Sequence, residues 1–184
     1  MLSDYLKDDS IFTGHPSSRN VPGVEASTGS LGHGLSIGVG MALAGKLDRL
    51  PYRTYVLMSD GECDEGAVWE AVLAAGNWGL SHLTCIVDDN EIQGFGRTKE
   101  IQNLEPFAQK WQAFRWNTQV IDGHDHEAIC EALGRAKAEE TKPSVIIAHT
   151  IKGKGVSFME DTVDWHYRSL SKELYEQALS ELPS

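Results

Sequence analysis

The sequence is poor in cysteine, short of positive charge and without a long apolar run. Its 184 residues include three cysteines and no CxxC pair, which argues against a disulfide framework and favours a reducing compartment. Lys and Arg number 16 against 27 Asp and Glu, a formal charge of −11 that disfavours a nucleic-acid partner. No stretch reaches the roughly 18 apolar residues that cross a bilayer, and the first ten residues do not resemble a leader. We therefore expect a cytoplasmic protein that binds neither nucleic acid nor a membrane.

Four short runs of β-forming residues alternate with segments of helical spacing. The runs cover residues 55–60, 83–89, 117–122 and 144–150, and polar or glycine residues follow each one. Helical spacing covers residues 67–78, 104–114 and 126–139, and residues 170–182 have a final amphipathic pattern. The alternation predicts an α/β fold, with a parallel sheet flanked by helices, in one domain over residues 1–184. Sheets of this kind bind ligands beyond the carboxyl ends of their strands.

The first third of the chain contains a glycine-rich turn that enters a predicted helix, GSLGHGLSIGVGMALAGKL. Inside that helix, Gly38 and Gly40 each cost about 1 kcal/mol relative to alanine. We therefore expect another backbone or a ligand to pack closely against this helix, as in a tight interface.

Oxygen-bearing side chains follow two successive predicted strands. Asp60 and Gly61 end the first, and Asp88, Asp89 and Asn90 end the second. Parallel strands bring these turns to one sheet edge, where carboxylate and amide oxygens suit a hard cation such as Mg²⁺. Magnesium usually shares its coordination with phosphate oxygens, and a helix N-terminus offers amides to the same phosphates. The pattern favours a diphosphate cofactor, although acids before a helix also serve simply as caps.

Two other phosphate-binding designs receive less support. The sequence has no GxxxxGK[ST] loop, and no GxGxxG follows a predicted strand. A receiver domain would place its acid pair before its phosphorylated aspartate, whereas here the pair follows Asp60. Nucleotide hydrolysis, dinucleotide binding and phosphoryl reception are all disfavoured.

The stretch SDGECDEGAVWEAVLAAGNWGLSHLTCIVDDNEIQGFG resembles the thiamine diphosphate signature, an Asp-Gly turn followed after one βα unit by Asn. That spacing alone would also admit the alpha subunit of pyruvate dehydrogenase. The segments HPSSRNVPGVEASTGSLGHG and TIKGKGVSFME are more selective. With them, residues 13–166 resemble the amino-terminal half of transketolase.

The resemblance implies a set of metal and cofactor contacts. The metal, Mg²⁺ or Ca²⁺, would be bound by Asp60, the Asn90 side chain and the main-chain oxygen of Ile92. The Gly61 N–H would donate to the diphosphate of thiamine diphosphate, and Asn90 and His166 would make further contacts with the cofactor. The turn that receives its aminopyrimidine ring would comprise Gly29, Ser30 and Leu31.

The resemblance also implies three catalytic residues. His15 would face the sugar substrate, His166 would contact the diphosphate and the reacting carbons, and Glu65 would couple two active sites at a subunit contact. Each has a simpler alternative. His15 could be a loop histidine and His166 a surface histidine, while Glu65 would be stabilised by the helix dipole without any such role.

In transketolases a glutamate that activates the cofactor ring lies in a following pyrimidine-binding domain, and this chain ends before one. It also begins after the family's Ser-Gly-His segment, so it apparently lacks the first segment of the fold. We therefore expect a split transketolase, in which a pyrimidine-domain subunit completes the site. Self-association of such pairs would give a heterotetramer. The activity implied is transfer of a two-carbon ketol unit between sugar phosphates, as in the pentose phosphate branch of carbohydrate metabolism.

Two alternatives remain open from the sequence. The chain could be a truncated, catalytically inactive relative with a structural or regulatory role. It could also belong to another thiamine diphosphate enzyme, one that acts on 2-oxo acids. Turnover of a ketose phosphate or of a 2-oxo acid would distinguish the enzymatic hypotheses.

Overall fold

A parallel four-stranded sheet organises the computed structural model, which describes residues 4–183. The strands lie in the order β1–β2–β6–β5, and their register aligns Ser59 with Asp88, and Asp89 and Asp122 with His149. All four carboxyl ends therefore meet at one edge, as predicted. The strands are β1 (Thr54–Ser59), β2 (Leu83–Asp89), β5 (Asn117–Asp122) and β6 (Ser144–His149), and a separate antiparallel pair comprises β3 (Ile92–Gln93) and β4 (Gly96–Arg97).

Six α-helices are present in the described part of the chain. The predicted helix over residues 104–114 begins later than expected, at Phe107, so its predicted start is wrong. Pro106 occupies the N-cap position, and the Glu105 carboxylate accepts a hydrogen bond from the Phe107 N–H at 2.8 Å. None of these helices is both long and apolar enough to cross a membrane. They are α1 (His33–Leu47), α2 (Gly66–Trp78), α3 (Thr98–Ile101), α4 (Phe107–Ala113), α5 (His126–Ala138) and α6 (Lys172–Glu181).

The two faces of the sheet are covered unequally. Alternate strand residues such as Val145 and Ile147 pack in the main core with α1, α2 and α4. On the opposite face Ile146 packs against α5. Leu57 occupies the same register row as Ile146, yet its side chain is 73% exposed. The sheet is therefore open on this face beside β1.

Close packing of the glycine-bearing helix is confirmed at one of its two glycines. A Cβ added to Gly38 would collide with the Val56 side chain of β1, so glycine lets α1 approach the sheet. At Gly40 no described atom lies within 4 Å of an added Cβ. The expected close approach of another backbone or a ligand at Gly40 therefore stays a prediction.

Two helical glycines provide a matched test of this packing. A Cβ at Gly76 in α2 would overlap the Phe114 backbone carbonyl, whereas a Cβ at Gly134 in α5 would meet open space. We expect Gly76→Ala to lower the free energy of unfolding by about 1–3 kcal/mol through overpacking. Gly134→Ala should raise it by about 1 kcal/mol through helix propensity. Urea unfolding measures both, and equal effects of the two substitutions would contradict the packing of α2 described here.

Candidate functional site

The turns after β1 and β2 meet at the carboxyl edge of the sheet. The Asp60 N–H donates to the Asp88 carbonyl at 3.1 Å, which extends the pairing of the two strands by one residue. A 3₁₀ helix, Gly61–Asp64, then leads into α2. Asp60 is therefore placed directly beside the segment that carries Asn90.

The Asp60 carboxylate is fully buried and its two oxygens accept hydrogen bonds from different segments. The Gly61 N–H donates to Oδ1 at 2.8 Å, and the Thr98 hydroxyl donates to Oδ2 at 2.7 Å. Thr98 is brought there because its own N–H bonds to the Glu91 carbonyl at 2.9 Å. Thr98 was not predicted from the sequence, because it lies 38 positions from Asp60 and in no recognisable motif.

Burial raises the pKa of Asp60, and the neighbouring Asp88 charge raises it further. The hydrogen bonds from Thr98, Gly61 and the Glu91 backbone act in the opposite direction. Within residues 4–183 no Lys, Arg or His forms an ion pair with Asp60. A buried carboxylate without a counter-charge is unfavourable, and its remaining lone pairs can serve a cation.

Asn90 is also buried, and its amide is held at both ends. The NH₂ group donates to Asp88 Oδ2 at 3.2 Å, and Oδ1 accepts from the Ile92 N–H at 3.1 Å. Between them, Glu91 has a positive φ of 61°, which turns the chain sharply at this point. The turn brings the Glu91 N–H close enough to Asp60 to lower the pKa of that carboxyl. The two predicted ligand segments are thus brought together.

The donor chemistry at this edge fits a hard divalent cation. Asp60 offers carboxylate oxygen, Asn90 amide oxygen and Ile92 a backbone carbonyl, all of which suit Mg²⁺ or Ca²⁺. Over the described residues, no group of three or more His, Cys, Asp or Glu is arranged to hold a metal. An ion here would therefore depend on amide, backbone and non-protein oxygens as well as on Asp60.

A second acid, Glu62, links the glycine-rich turn to the 3₁₀ helix. Its carboxylate accepts a hydrogen bond from the Gly32 N–H at 2.9 Å, a contact that was not predicted from the sequence. Glu65 packs beside the same glycine, since a Cβ on Gly32 would lie 2.7 Å from the Glu65 Cβ. Glu65 occupies the N-cap of α2, but its side chain makes no capping hydrogen bond. Its carboxylate therefore does not serve as a side-chain cap.

His15 is brought against the predicted ring-binding turn. Gly29 has a φ of +122°, and a Cβ there would lie 2.8 Å from the imidazole ring of His15. Ser30 and Leu31 follow, and with Gly29 and Glu62 they border a cavity of about 370 Å³ beside β1. The three predicted turn residues, His15 and the 3₁₀ helix after Asp60 thus form a continuous surface.

His166 lies in a short 3₁₀ helix, Val163–His166, that packs against the β3–β4 hairpin. The adjacent Trp165 indole donates to the Phe158 carbonyl at 2.6 Å, and Tyr167 contacts Gly94 in the hairpin. Partial burial lowers the pKa of His166, and the positive charge of Lys152 lowers it further.

Lys152 also lies at the mouth of the site. With Asp88, Asn90 and Thr150 it lines a cavity of about 520 Å³ at the ends of β2 and β6. No role was predicted for Lys152, although the KGKG segment that contains it directly follows a predicted strand. The arrangement places the Lys152 ammonium group and the His166 imidazole near the proposed ligand turns, where they can contact an anion.

Comparisons with known proteins agree with this geometry. The family model described as the thiamine diphosphate binding domain of transketolase matches residues 2–182. A protein of Phocaeicola vulgatus that is named as one subunit of an apulose-4-phosphate transketolase is 44% identical over 173 residues, covering 94% of this chain and 61% of that protein. The 6-deoxy-6-sulfo-D-fructose transketolase subunit SqwG of Clostridium sp. is 43% identical over 182 residues, covering 99% and 66%. The chain thus spans less than two thirds of the length of these relatives.

The solved structures include a transketolase of Campylobacter jejuni, which superposes with a TM-score of 0.91 at 32% sequence identity. The similarity covers 97% of this chain and 29% of that one. The α/β architecture predicted from the sequence is therefore confirmed by an experimentally determined fold.

The electrostatic link between Lys152 and His166 can be tested by histidine titration. We expect His166 to titrate below the ordinary value of about 6.5, and Lys152→Met to move its midpoint upward but not fully, because burial remains. Side-chain NMR of the histidines measures this, with His166→Asn for assignment. Lys154→Met is the control, since Lys154 pairs with Glu160 instead. A midpoint unchanged by Lys152→Met would contradict the arrangement.

Proposed function

The chain belongs to the thiamine diphosphate-binding domain family of transketolases, and we propose on this basis that the carboxyl edge of its sheet binds thiamine diphosphate together with Mg²⁺ or Ca²⁺. The observation that carries the proposal is the buried carboxylate of Asp60, which lies against the Asn90 turn without a cationic partner among the described side chains. A divalent ion would supply the missing charge. Asp60, the Asn90 side chain and the Ile92 carbonyl would be its protein ligands.

We assign the diphosphate to the groups around these ligands. The Gly61 N–H donates to Asp60 and would share this hydrogen bond with an oxygen of the diphosphate. Lys152 and His166 border the same edge and would add a positive charge and an N–H donor. Its lowered pKa favours the neutral imidazole of His166, which can donate a hydrogen bond from one ring nitrogen and accept a proton at the other.

The other face of the proposed site would hold the ring and the substrate. Gly29, Ser30 and Leu31 would receive the aminopyrimidine ring, and His15, packed on Gly29, would face the sugar. Glu65 would lie at a contact with another protomer, where its exposed carboxylate could couple two sites.

We further propose that the chain acts within a split transketolase and transfers a two-carbon ketol unit between sugar phosphates. Support comes from the two relatives above, both named as transketolase subunits. A subunit that carries the pyrimidine-binding domain would complete the site, and the pairs would associate as a heterotetramer. Thiamine diphosphate, when bound, supplies the nucleophilic carbon that breaks and remakes the carbon–carbon bond of the ketose. The chain's own residues would anchor the cation, orient the diphosphate and exchange protons with the sugar.

Asp60→Asn tests the cation site directly. The amide can keep both hydrogen bonds if its oxygen accepts from Gly61 and the Thr98 hydroxyl reverses its role. The chain should therefore stay folded but lose Mg²⁺-dependent binding of thiamine diphosphate by about 100-fold or more, since a charged ligand is lost. Tryptophan fluorescence titration of the chain combined with a pyrimidine-domain subunit measures the binding. Asp122→Asn, at the end of β5 on the same edge, is the matched control, and equal binding by Asp60→Asn and wild type would refute the site.

Ketol transfer is tested with the chain combined with a pyrimidine-domain subunit. We expect turnover of a ketose phosphate with an aldose phosphate acceptor, and none after Asp60→Asn. Turnover of a 2-oxo acid instead would contradict the transketolase assignment. Cofactor binding by the complex without either turnover would indicate an inactive relative.

A further inference from the structure

We propose that Asp88 is a positioning residue that fixes which end of the Asn90 amide faces the cation, an inference that rests on the proposed metal site. An asparagine can ligate a metal only through its oxygen, yet its NH₂ group has nearly the same size and shape. A site that uses an asparagine therefore needs a group that holds the amide in one orientation. Asp88 occupies the place where such a group is required.

Both oxygens of Asp88 are already used. Oδ2 accepts from the Asn90 NH₂ group at 3.2 Å, and Oδ1 accepts a hydrogen bond from the Thr150 hydroxyl. An ionised carboxylate only accepts hydrogen bonds, so the NH₂ end of Asn90 must face Asp88. The oxygen of Asn90 then accepts from the Ile92 N–H, and in the proposed site its other lone pair would serve the cation.

Asp88 is itself held in place by two strands. Thr150 follows β6, and its N–H donates to the Asp89 carbonyl at 3.1 Å, so the hydroxyl that anchors Asp88 is fixed to the sheet. The backbone carbonyl of Asp88 accepts the Asp60 N–H at 3.1 Å. One residue thus fixes the Asn90 amide with its side chain and the Asp60 turn with its backbone.

This arrangement also separates Asp88 from the proposed ligands. Its two oxygens accept hydrogen bonds from Asn90 and Thr150. The proposed ligand oxygens have other donors, which are Gly61 and Thr98 for Asp60 and the Ile92 N–H for Asn90. Partners of this kind, behind the ligands, tune metal affinity by about 10- to 100-fold when they are changed. Asp88 would therefore act on the metal through Asn90.

A single substitution and a swap distinguish orientation from simple loss of charge. Asp88→Leu is close in size but has no acceptor, so the NH₂ end of Asn90 loses the group that holds it. The Asn90 amide can then present either end to the cation. The double variant Asp88→Asn/Asn90→Asp restores a complementary pair with the same total charge as wild type, and a carboxylate oxygen still accepts from the Ile92 N–H. Asp89→Asn removes the adjacent charge, which pairs with His149 at 2.9 Å, without changing the partner of Asn90.

The measurement is the Mg²⁺ concentration that half-saturates thiamine diphosphate binding to the chain combined with a pyrimidine-domain subunit, with thermal unfolding of the metal-free chain beside it. We expect Asp88→Leu to raise this concentration about 10- to 100-fold. The double variant should return toward the wild-type value, and Asp89→Asn should stay close to it.

Three outcomes would overturn the proposal. An unchanged Mg²⁺ requirement in Asp88→Leu would do so, as would a double variant that is no better than the single one. An Asp89→Asn loss as large as that of Asp88→Leu would assign the effect to charge alone. If Asp88→Leu does not fold, the double variant, which keeps the hydrogen bonds, decides, and a Mg²⁺ requirement raised about 10-fold or more in it would overturn the proposal. Absence of Mg²⁺-dependent binding by the wild-type chain combined with a pyrimidine-domain subunit would instead refute the proposed function, and this inference with it.

Discussion

The burial of one carboxylate, that of Asp60, is the constraint on which the rest of the site depends. Placing it at the end of β1 removes it from water and raises its pKa, and the adjacent Asp88 charge adds to the cost. Hydrogen bonds from Gly61 and Thr98 offset part of that cost but bring no positive charge. A cation bound between the surrounding turns would supply the missing positive charge.

The parallel sheet supplies the geometry that such a site needs. Because β1 and β2 pair in register, the chain leaves both strands at the same height, and the Asp60 and Asn90 turns become neighbours. The 3₁₀ helix after Asp60 then carries Glu62 to the glycine-rich turn, which extends the site toward His15. A loop after β6 brings Lys152 and, farther on, His166 to the same edge. Residues from distant parts of the chain thus border one region.

The parts of this arrangement that could be predicted are those with a repeating pattern or a local motif. Buried apolar runs identified the four long strands, and the Asp-Gly and Asn turns pointed to the ligand segments. The β3–β4 hairpin was missed because two-residue strands have no periodicity. The predicted start of α4 was too early, because the helix begins only after Pro106, its N-cap residue. Thr98 and Glu62 were missed because their roles depend on partners more than 25 positions away.

The central claim is that Asp60 and Asn90 hold one divalent ion between the ends of β1 and β2. Crystals of the chain combined with a pyrimidine-domain subunit, grown with Mn²⁺ and thiamine diphosphate, test it through anomalous scattering. We predict one strong peak at metal–oxygen distances of about 2.0–2.3 Å from a carboxylate oxygen of Asp60, the Asn90 side-chain oxygen and the Ile92 carbonyl. A manganese peak elsewhere, with no metal bound to Asp60, would contradict the account.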